Sequence, residues 1–177
     1  MEPIFIKDLV HIKVDNINDS IRQLPTGNAL IYTFFSPSTL YFGTIPRQAT
    51  VIWRNKNKET LYSLSSKWTY FHWGHIVELV INTGLVRTQF EIPNFLVDII
   101  FFISDPLKFS SITKLEDLKE FFVEKLTEIY SSCVHKHDTI TLMQVSSQAF
   151  FDINRNLSKF GVSLTSIQPV FRKNSSD

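Results

Sequence analysis

The last third of the chain, from Asp105 to Lys173, constrains the fold most strongly, because helix signals there are followed by a strand signal. Thr113 lies three residues before Glu116, which is the spacing of a capping box. In that motif the Thr side chain accepts from the backbone N–H at Glu116, and the Glu side chain reaches back to the N–H of Thr113. Apolar residues then recur every three or four positions, which predicts a helix of about five turns with one buried face. They are Leu115, Leu118, Phe122, Leu126, Ile129 and Cys133.

A second helix and a strand are predicted after this one. The helix begins between Thr139 and Leu142, and Gly161 stands at its end, where a left-handed residue is favoured. Its apolar stripe is Leu142, Val145, Ala149, Ile153 and Leu157, with Phe150 and Phe160 beside it. The alternation over Val162–Ile167 predicts a strand, which Val170 and Phe171 extend past Pro169.

The chain before these helices has a β-rich pattern. Leu96 to Ile103 predicts a buried strand that ends before Asp105-Pro106, since proline disfavours helix at the preceding residue. Ile76–Asn82 and Leu85–Glu91 flank Thr83-Gly84 and predict a hairpin. Earlier strands are predicted within residues 3–14, 29–35, 49–54 and 60–64, and one helical turn over 20–24. We therefore expect an α+β protein with a β-rich amino-terminal portion followed by strand, helix, helix and strand.

The domain organisation follows from the same order of elements. The length of 177 residues fits a single domain over residues 1–177. Within it we expect a β-rich subdomain over residues 1–104 and a helix–helix–strand subdomain over residues 105–173.

The residues that carry this order resemble the second half of the SPFH domain, which stomatin, prohibitin, flotillin and HflK/HflC share. Ser104-Asp105-Pro106 is similar to the DP at which the family's β-rich subdomain ends. Gly161 to Ile167 reads GVSLTSI and resembles the family's G-[VI]-x-[VL]-x-x-[IV] strand, and Thr83 to Thr88 resembles its glycine turn. The resemblance covers about residues 76–172 and includes no catalytic signature. It implies an SPFH-like fold and a non-enzymatic oligomerising or scaffolding module near a membrane, whose partners are proteins, including copies of itself. Exposed sheet edges and the amphipathic helix pair would be its contact surfaces.

Charge and cysteine content narrow the classes of function. The formal net charge is +1 and the Lys and Arg residues are scattered, so the sequence carries no electrostatic footprint of nucleic-acid binding. A single cysteine excludes an intrachain disulfide framework and suits a reducing compartment. We expect an intracellular, cytoplasmic protein.

Membrane association is expected only as peripheral contact. No stretch reaches the ~18 apolar residues of a transmembrane helix, and the first fifteen residues lack the layout of a signal peptide. Most SPFH proteins carry a hydrophobic anchor before the domain and a long coiled coil after it. The sequence matches neither feature, which weakens the carry-over of membrane scaffolding.

The aromatic stretch from Lys67 to His75 is the candidate interaction site. It can serve as a binding platform, as a foot on a membrane surface or as a partner interface. The favoured alternative is ordinary packing within the β-rich subdomain. The candidate residues are Trp68, Tyr70, Phe71, His72 and Trp73.

A second candidate is the cluster of Cys133, His135 and His137, which has zinc-ligand chemistry. Structural zinc sites need a fourth ligand and spacings of the CxxC or HxxxH type, and alternate positions at a helix end converge poorly. Histidines at a helix carboxyl end also favour the negative end of the helix dipole. We therefore expect no metal, and the sequence indicates no other cofactor.

Enzymatic activity is the least favoured reading. His72 and His75 have Glu78 as their close acid, and a small hydrolase or transferase can be built from these residues, with or without Cys133. No nucleophile elbow, P-loop, dinucleotide-binding or HExxH motif is present, so we expect no catalytic residues. The second-ranked hypothesis, after the SPFH-like module and before the enzyme, is a structural or interaction protein of unrelated α+β fold, such as a viral, phage or secretion-machine component.

Overall fold

The structure is a mixed α+β fold in which a β-rich amino-terminal portion precedes a helical segment and a long strand, as the sequence predicts. It is a computed structural model that describes residues 3–7, 9–15, 17–24, 29–33, 42–54, 60–63, 68–70, 76–93, 95–112, 114–131 and 139–171. Its strands are β1 (Ile4–Phe5), β2 (His11–Lys13), β3 (Ile31–Thr33), β4 (Phe42–Thr44), β5 (Ala49–Arg54), β6 (Thr60–Ser63), β7 (Trp68–Tyr70), β8 (Ile76–Asn82), β9 (Val86–Ile92), β10 (Phe95–Ile103) and β11 (Val162–Phe171). Its helices are α1 (Ile17–Gln23), α2 (Pro106–Ile112), α3 (Leu115–Ser131) and α4 (Thr139–Leu157), and a 3-10 turn follows at Ser158–Phe160.

The strand after the helices returns to the sheet that precedes them. Among the described residues this sheet has four strands in the order β1-β9-β10-β11. β10 pairs antiparallel with both β9 and β11, and β1 pairs parallel with β9. The predicted strand after Gly161 is confirmed, including its extension to Phe171, and it pairs with β10. The pairing of β10 with β11 joins residues on both sides of the predicted subdomain boundary at residue 104. That boundary stays a prediction.

A β-bulge sets which residues of β11 face the helices. Ile100 pairs with Ser166 but Phe101 pairs with Leu164, so Thr165 is the extra residue of the bulge. Strict alternation after Leu164 would turn Ser166 inward. The bulge instead buries Ile167 on the same side as Leu164. The change of phase in the apolar pattern of this strand therefore has a structural cause.

Helices α3 and α4 pack on one side of this sheet, which we call its inner face. The Phe122 ring of α3 lies 5.1 Å from the ring centroid of Phe90 in β9 and 5.8 Å from that of Phe101 in β10. Burial of one such side chain contributes about 1.5–3 kcal/mol. Between the two helices, the hydroxyls of Tyr130 and Ser146 are hydrogen-bonded at 2.9 Å.

The predicted apolar stripes of both helices are largely confirmed as buried. In α3 the buried residues are Leu115, Leu118, Phe121, Phe122, Leu126 and Tyr130, and in α4 they include Ala149, Ile153 and Leu157. Ile129 is half-buried. The predicted capping residue Thr113 and the last residue of the first stripe, Cys133, lie outside the described residues.

The amino-terminal strands form a second sheet, with the described order β2-β3-β8-β5-β6, while β4 pairs with β7. β5 spans the predicted residues and pairs antiparallel with β6. On one face of this sheet, Ile31, Ile52 and Ile81 belong to the same hydrophobic cluster as the helices and the four-stranded sheet. A separate cluster on the other face includes Val14, Leu24, Tyr32, Val51 and Val80.

The predicted hairpin around Thr83-Gly84 is wrong. β8 pairs with β3 and β5, whereas β9 pairs with β1 and β10, so the turn carries the chain from one sheet to the other. The turn is held by hydrogen bonds from the Thr83 N–H to the Gln48 carbonyl (2.7 Å) and from the Gly84 N–H to the Asn82 side chain (3.0 Å). Because both sides of β8 already have partners, β9 cannot pair with it.

The helical elements also depart from prediction in two places. α1 covers Ile17–Gln23 instead of a single turn over residues 20–24. A short helix, α2, adds to the predicted order directly after Asp105. The Asp105 carboxylate accepts a hydrogen bond from the Lys108 N–H (3.0 Å), and Pro106 occupies the first helical position, where its missing N–H costs little.

Gly161 joins the end of the helical segment to the sheet. Its φ of 71° is left-handed, as predicted, and its carbonyl accepts from the N–H groups of Ser104 (2.9 Å) and Asp105 (3.0 Å). A Cβ at this position would lie 2.5 Å from the Asp105 carbonyl oxygen. Both the backbone conformation and the close approach therefore require glycine.

Replacing this glycine tests the junction. We expect Gly161→Ala to lower the free energy of unfolding by about 2–4 kcal/mol, because the left-handed conformation costs a Cβ-bearing residue about 1–2 kcal/mol and the clash with Asp105 adds to it. Gly84→Ala is the matched control, since its Cβ would meet mainly the flexible Gln48 side chain, at 3.1 Å. Urea denaturation measures both variants. Equal losses in the two variants would contradict this account of the junction.

Candidate interaction surface

The four-stranded sheet has a second side, opposite the helices, which we call its outer face. Along β9 the burial alternates, so Arg87, Gln89 and Glu91 point to this face while their neighbours are buried. By the same alternation β1 contributes Phe5, which is 48% exposed. β10 contributes the half-buried side chains of Leu96, Ile100 and Phe102, together with Asp98. The outer face is therefore amphipathic.

An ion pair lies at the centre of the outer face. The Arg87 Nε donates to both carboxylate oxygens of Asp98, at 3.0 and 2.9 Å, and Nη2 also donates to Oδ2. Asp98 is 9% exposed, and a carboxylate removed from water to this degree needs a charged or hydrogen-bonding partner. The hydrogen bonds to Asp98, and then its negative charge, raise the pKa of Arg87 above its usual value.

The strand register places Arg87 between apolar side chains. Phe5 is the β1 partner of Arg87, and Ile100 is its β10 partner. A row of Phe5, Arg87, Ile100 and Ser166 thus crosses all four described strands. Aromatic and Arg side chains beside half-buried aliphatic ones are the types that carry most of the free energy of protein–protein interfaces.

The outer edge of β11 is a poorer place for contact. The Asn154 side chain of α4 accepts a hydrogen bond from the Leu164 N–H (2.9 Å), which occupies one of the groups that a further strand would use. Farther along the strand, Pro169 has no N–H to offer. Both features are known means of preventing edge-to-edge pairing. The face of this sheet is therefore a better contact surface than its β11 edge.

A cleft of about 510 Å³ lies between α3 and α4 and is lined by polar side chains. The Lys125 ammonium lies 2.5 Å from the Glu128 carboxylate, and this hydrogen bond is the main cause of a raised pKa of Lys125. The lining residues are Lys125, Glu128, Ile129, Asp152, Arg155 and Asn156. Two positive and two negative charges balance there on largely exposed side chains. This arrangement is typical of a solvated helix seam.

The structure describes two of the five residues predicted as the interaction site. Trp68 and Tyr70 lie in β7, whose backbone pairs with Thr44 and Phe42 of β4. Phe71, His72 and Trp73 lie outside the described residues. The aromatic interaction site therefore stays a prediction.

The residues that were considered for metal binding and catalysis also lie mostly outside the described residues. These are Cys133, His135 and His137, and His72 and His75, whereas Glu78 lies in β8. Among the residues that the structure describes, no group of three or more His, Cys, Asp or Glu side chains can hold a metal ion. No helix within the described ranges is long and apolar enough to span a bilayer.

Sequence reasoning missed the Arg87–Asp98 pair, although a signal for it exists. Asp98 interrupts the apolar run of β10, and a carboxylate in such a strand calls for a cation nearby. The turn at Pro93 pairs Ile92 with Phe95. This register sets Arg87 diagonally beside Asp98, within reach of a long side chain.

Comparisons with known proteins add no identification. No protein-family model matches the chain, and no curated protein is significantly similar to it.

The ion pair generates a test of stability. We expect Arg87→Met to lower the urea midpoint of unfolding, because Asp98 is left nearly buried without its cation. Lys125→Met is the matched control and should leave the midpoint almost unchanged, since exposed ion pairs contribute little. The double variant Arg87→Met, Asp98→Leu should recover much of the loss. An equal effect of Arg87→Met and Lys125→Met would contradict the special role of the outer-face pair.

Proposed function

We propose that this chain is a non-enzymatic, SPFH-like interaction module that acts by binding protein partners, including copies of itself, through the outer face. The observation that carries the proposal is the row across the sheet in which Arg87 lies between Phe5 and Ile100. Phe5 is 48% exposed and lies in one row with the half-buried Ile100, so the outer face carries apolar side chains close together. A partner that covers the row would remove this apolar surface from water.

The topology supports the SPFH-like part of the proposal. That reading requires the strand after Gly161 to join the sheet and both helices to pack on one side of it. β11 pairs with β10, and the buried faces of α3 and α4 share one cluster with the inner face. With this side occupied, the outer face is the side left for partners. Membrane proximity enters the proposal only through the resemblance.

The charged groups support binding over turnover. On the outer face Arg87 and Asp98 neutralise each other, and in the cleft between α3 and α4 Lys125 is bonded to Glu128. General acid–base catalysis needs a group that is placed against a substrate in a cleft with a shifted pKa. Paired ions on a sheet face fit recognition better, because an Arg held by its own carboxylate presents its donors in a fixed orientation.

Site-specific photo-cross-linking tests the proposal. A photoreactive phenylalanine analogue is placed at Phe5 or, as a matched control, at Phe151, which is also exposed (72%) but lies on α4. In extract from the source organism we expect discrete protein adducts from position 5 and few from position 151, because the partner covers the outer face. Adducts at position 5 should disappear when excess unlabelled chain competes.

The control decides how a negative result is interpreted. Equal labelling at the two positions, or labelling that excess chain does not reduce, would count against a binding role for the outer face. Circular dichroism of both labelled chains confirms that the analogue leaves the fold intact.

A further inference from the structure

We infer that a partner protein contributes an extended segment of polypeptide, which adds to β1 as one more strand of the four-stranded sheet. The inference rests on the proposed function and deepens it, since it names the kind of partner and the way in which it binds. Among the described residues β1 is the last strand on its side of this sheet, so its far side is an edge. The partner strand lies along that edge, next to Phe5 of the outer face.

The backbone of β1 alternates between the sheet and its edge. The Ile4 N–H donates to the Leu85 carbonyl at 2.8 Å, and the Ile6 N–H donates to a carbonyl of β9 at the same distance. Because successive residues of a strand turn their N–H and C=O groups to opposite sides, those of Phe5 point away from β9. In an antiparallel ladder, a residue opposite Phe5 exchanges both hydrogen bonds with it. The groups at this edge therefore match another extended backbone.

The side chains of β1 hold the strand in place and leave its edge accessible. Ile6 is 2% exposed, and Ile4 packs against the same core cluster, so the strand is anchored from the inner side of the sheet. Phe5 points the other way and is 48% exposed. Side chains of directly opposed residues lie about 4.5–5.5 Å apart at Cβ, so a partner strand places a side chain beside the Phe5 ring.

The two edges of the sheet differ in a way that favours β1. At β11 the Leu164 N–H is already bonded to the Asn154 side chain, and Pro169 has no N–H to offer. Pro3 also lacks an N–H, but Phe5 keeps its own and carries an apolar ring where protected edges commonly carry a charge. A partner strand therefore finds its donor and its apolar contact at the same residue.

The short length of β1 favours an extended segment over a second copy of the chain. A two-fold pairing of β1 with β1 brings two folded bodies together over a strand of two residues. A segment that lies outside a folded body approaches the edge without this restriction. Since the backbone contact is short, the side chains that the segment turns toward the outer face supply the remaining contact. We expect β-branched and aromatic residues at alternate positions of the segment.

Peptide selection tests the inference on the full chain. Linear peptides are selected on the immobilised chain from a random phage-displayed library, and one selected peptide is the probe. We expect Phe5→Ala to weaken its binding because the ring is lost. Phe5→Pro should bind about tenfold more weakly than Phe5→Ala, because proline fits an edge strand but removes the outward N–H as well. Phe151→Ala is the matched control for loss of an exposed ring and should bind the peptide as the wild type does.

Amide hydrogen exchange reads the same contact directly. In the isotope-labelled wild-type chain, we expect the Phe5 N–H to exchange at least about tenfold more slowly when the peptide is bound, because a hydrogen bond to the peptide protects it. The Leu164 N–H, which is already bonded to Asn154, should keep its exchange rate and serves as the internal control.

The outcomes separate the inference from the proposed function. Strand addition is overturned if no peptide is enriched, if the peptide binds Phe5→Pro as tightly as Phe5→Ala, or if exchange at Phe5 is unchanged. Photo-adducts at position 5 that the peptide does not displace also overturn it but keep the proposed function, whereas the absence of adducts there counts against both.

Two further results are decided in advance. Dimerisation of the chain that Phe5→Pro abolishes makes a second copy the occupant of the edge and overturns the extended segment. If Phe5→Pro fails to fold, the exchange rate of the Phe5 N–H in the wild-type chain decides.

Discussion

The antiparallel pairing of β10 with β11 is the interaction on which the rest of the structure depends. It brings the chain back to its sheet after α2, α3 and α4, and it starts at Gly161, whose carbonyl holds the Ser104 and Asp105 N–H groups. Because both ends of the helical segment are tied to neighbouring strands, the helices must lie on one side of the sheet. The apolar residues on that side bury against them, and the opposite side carries the Arg87–Asp98 pair.

That opposite side combines features that seldom serve stability alone. A carboxylate in the middle of β10 costs free energy unless a cation accompanies it, and an apolar residue of similar size would pack without this cost. Arg87 supplies the cation and lies between Phe5 and Ile100. Under the proposed function, specificity for a partner offsets this cost. The balanced cleft between α3 and α4 lacks such a combination of buried charge and apolar neighbours.

Local signals in the sequence were sufficient for α3, α4 and β11, but not for α2. The apolar spacing in α3 and α4, the left-handed Gly161 and the alternation in β11 each depend on residues close in the chain. The turn at Gly84 shows the limit of this reasoning. A glycine turn between two apolar runs has the same local pattern whether the strands pair or enter different sheets, and the choice depends on the distant partners β3, β5, β1 and β10. The Arg87–Asp98 pair was missed for the same reason, since its contact requires the register of β9 and β10.

The pairing of β10 with β11 also bears on how the chain acquires its fold during synthesis. Their partners are separated by about sixty residues or more, as for Ile103 and Val162. At roughly 5–20 residues per second, the ribosome completes β10 several seconds before β11. Throughout that interval the apolar strand has one open edge, and molecular chaperones that bind nascent chains would find their natural target there.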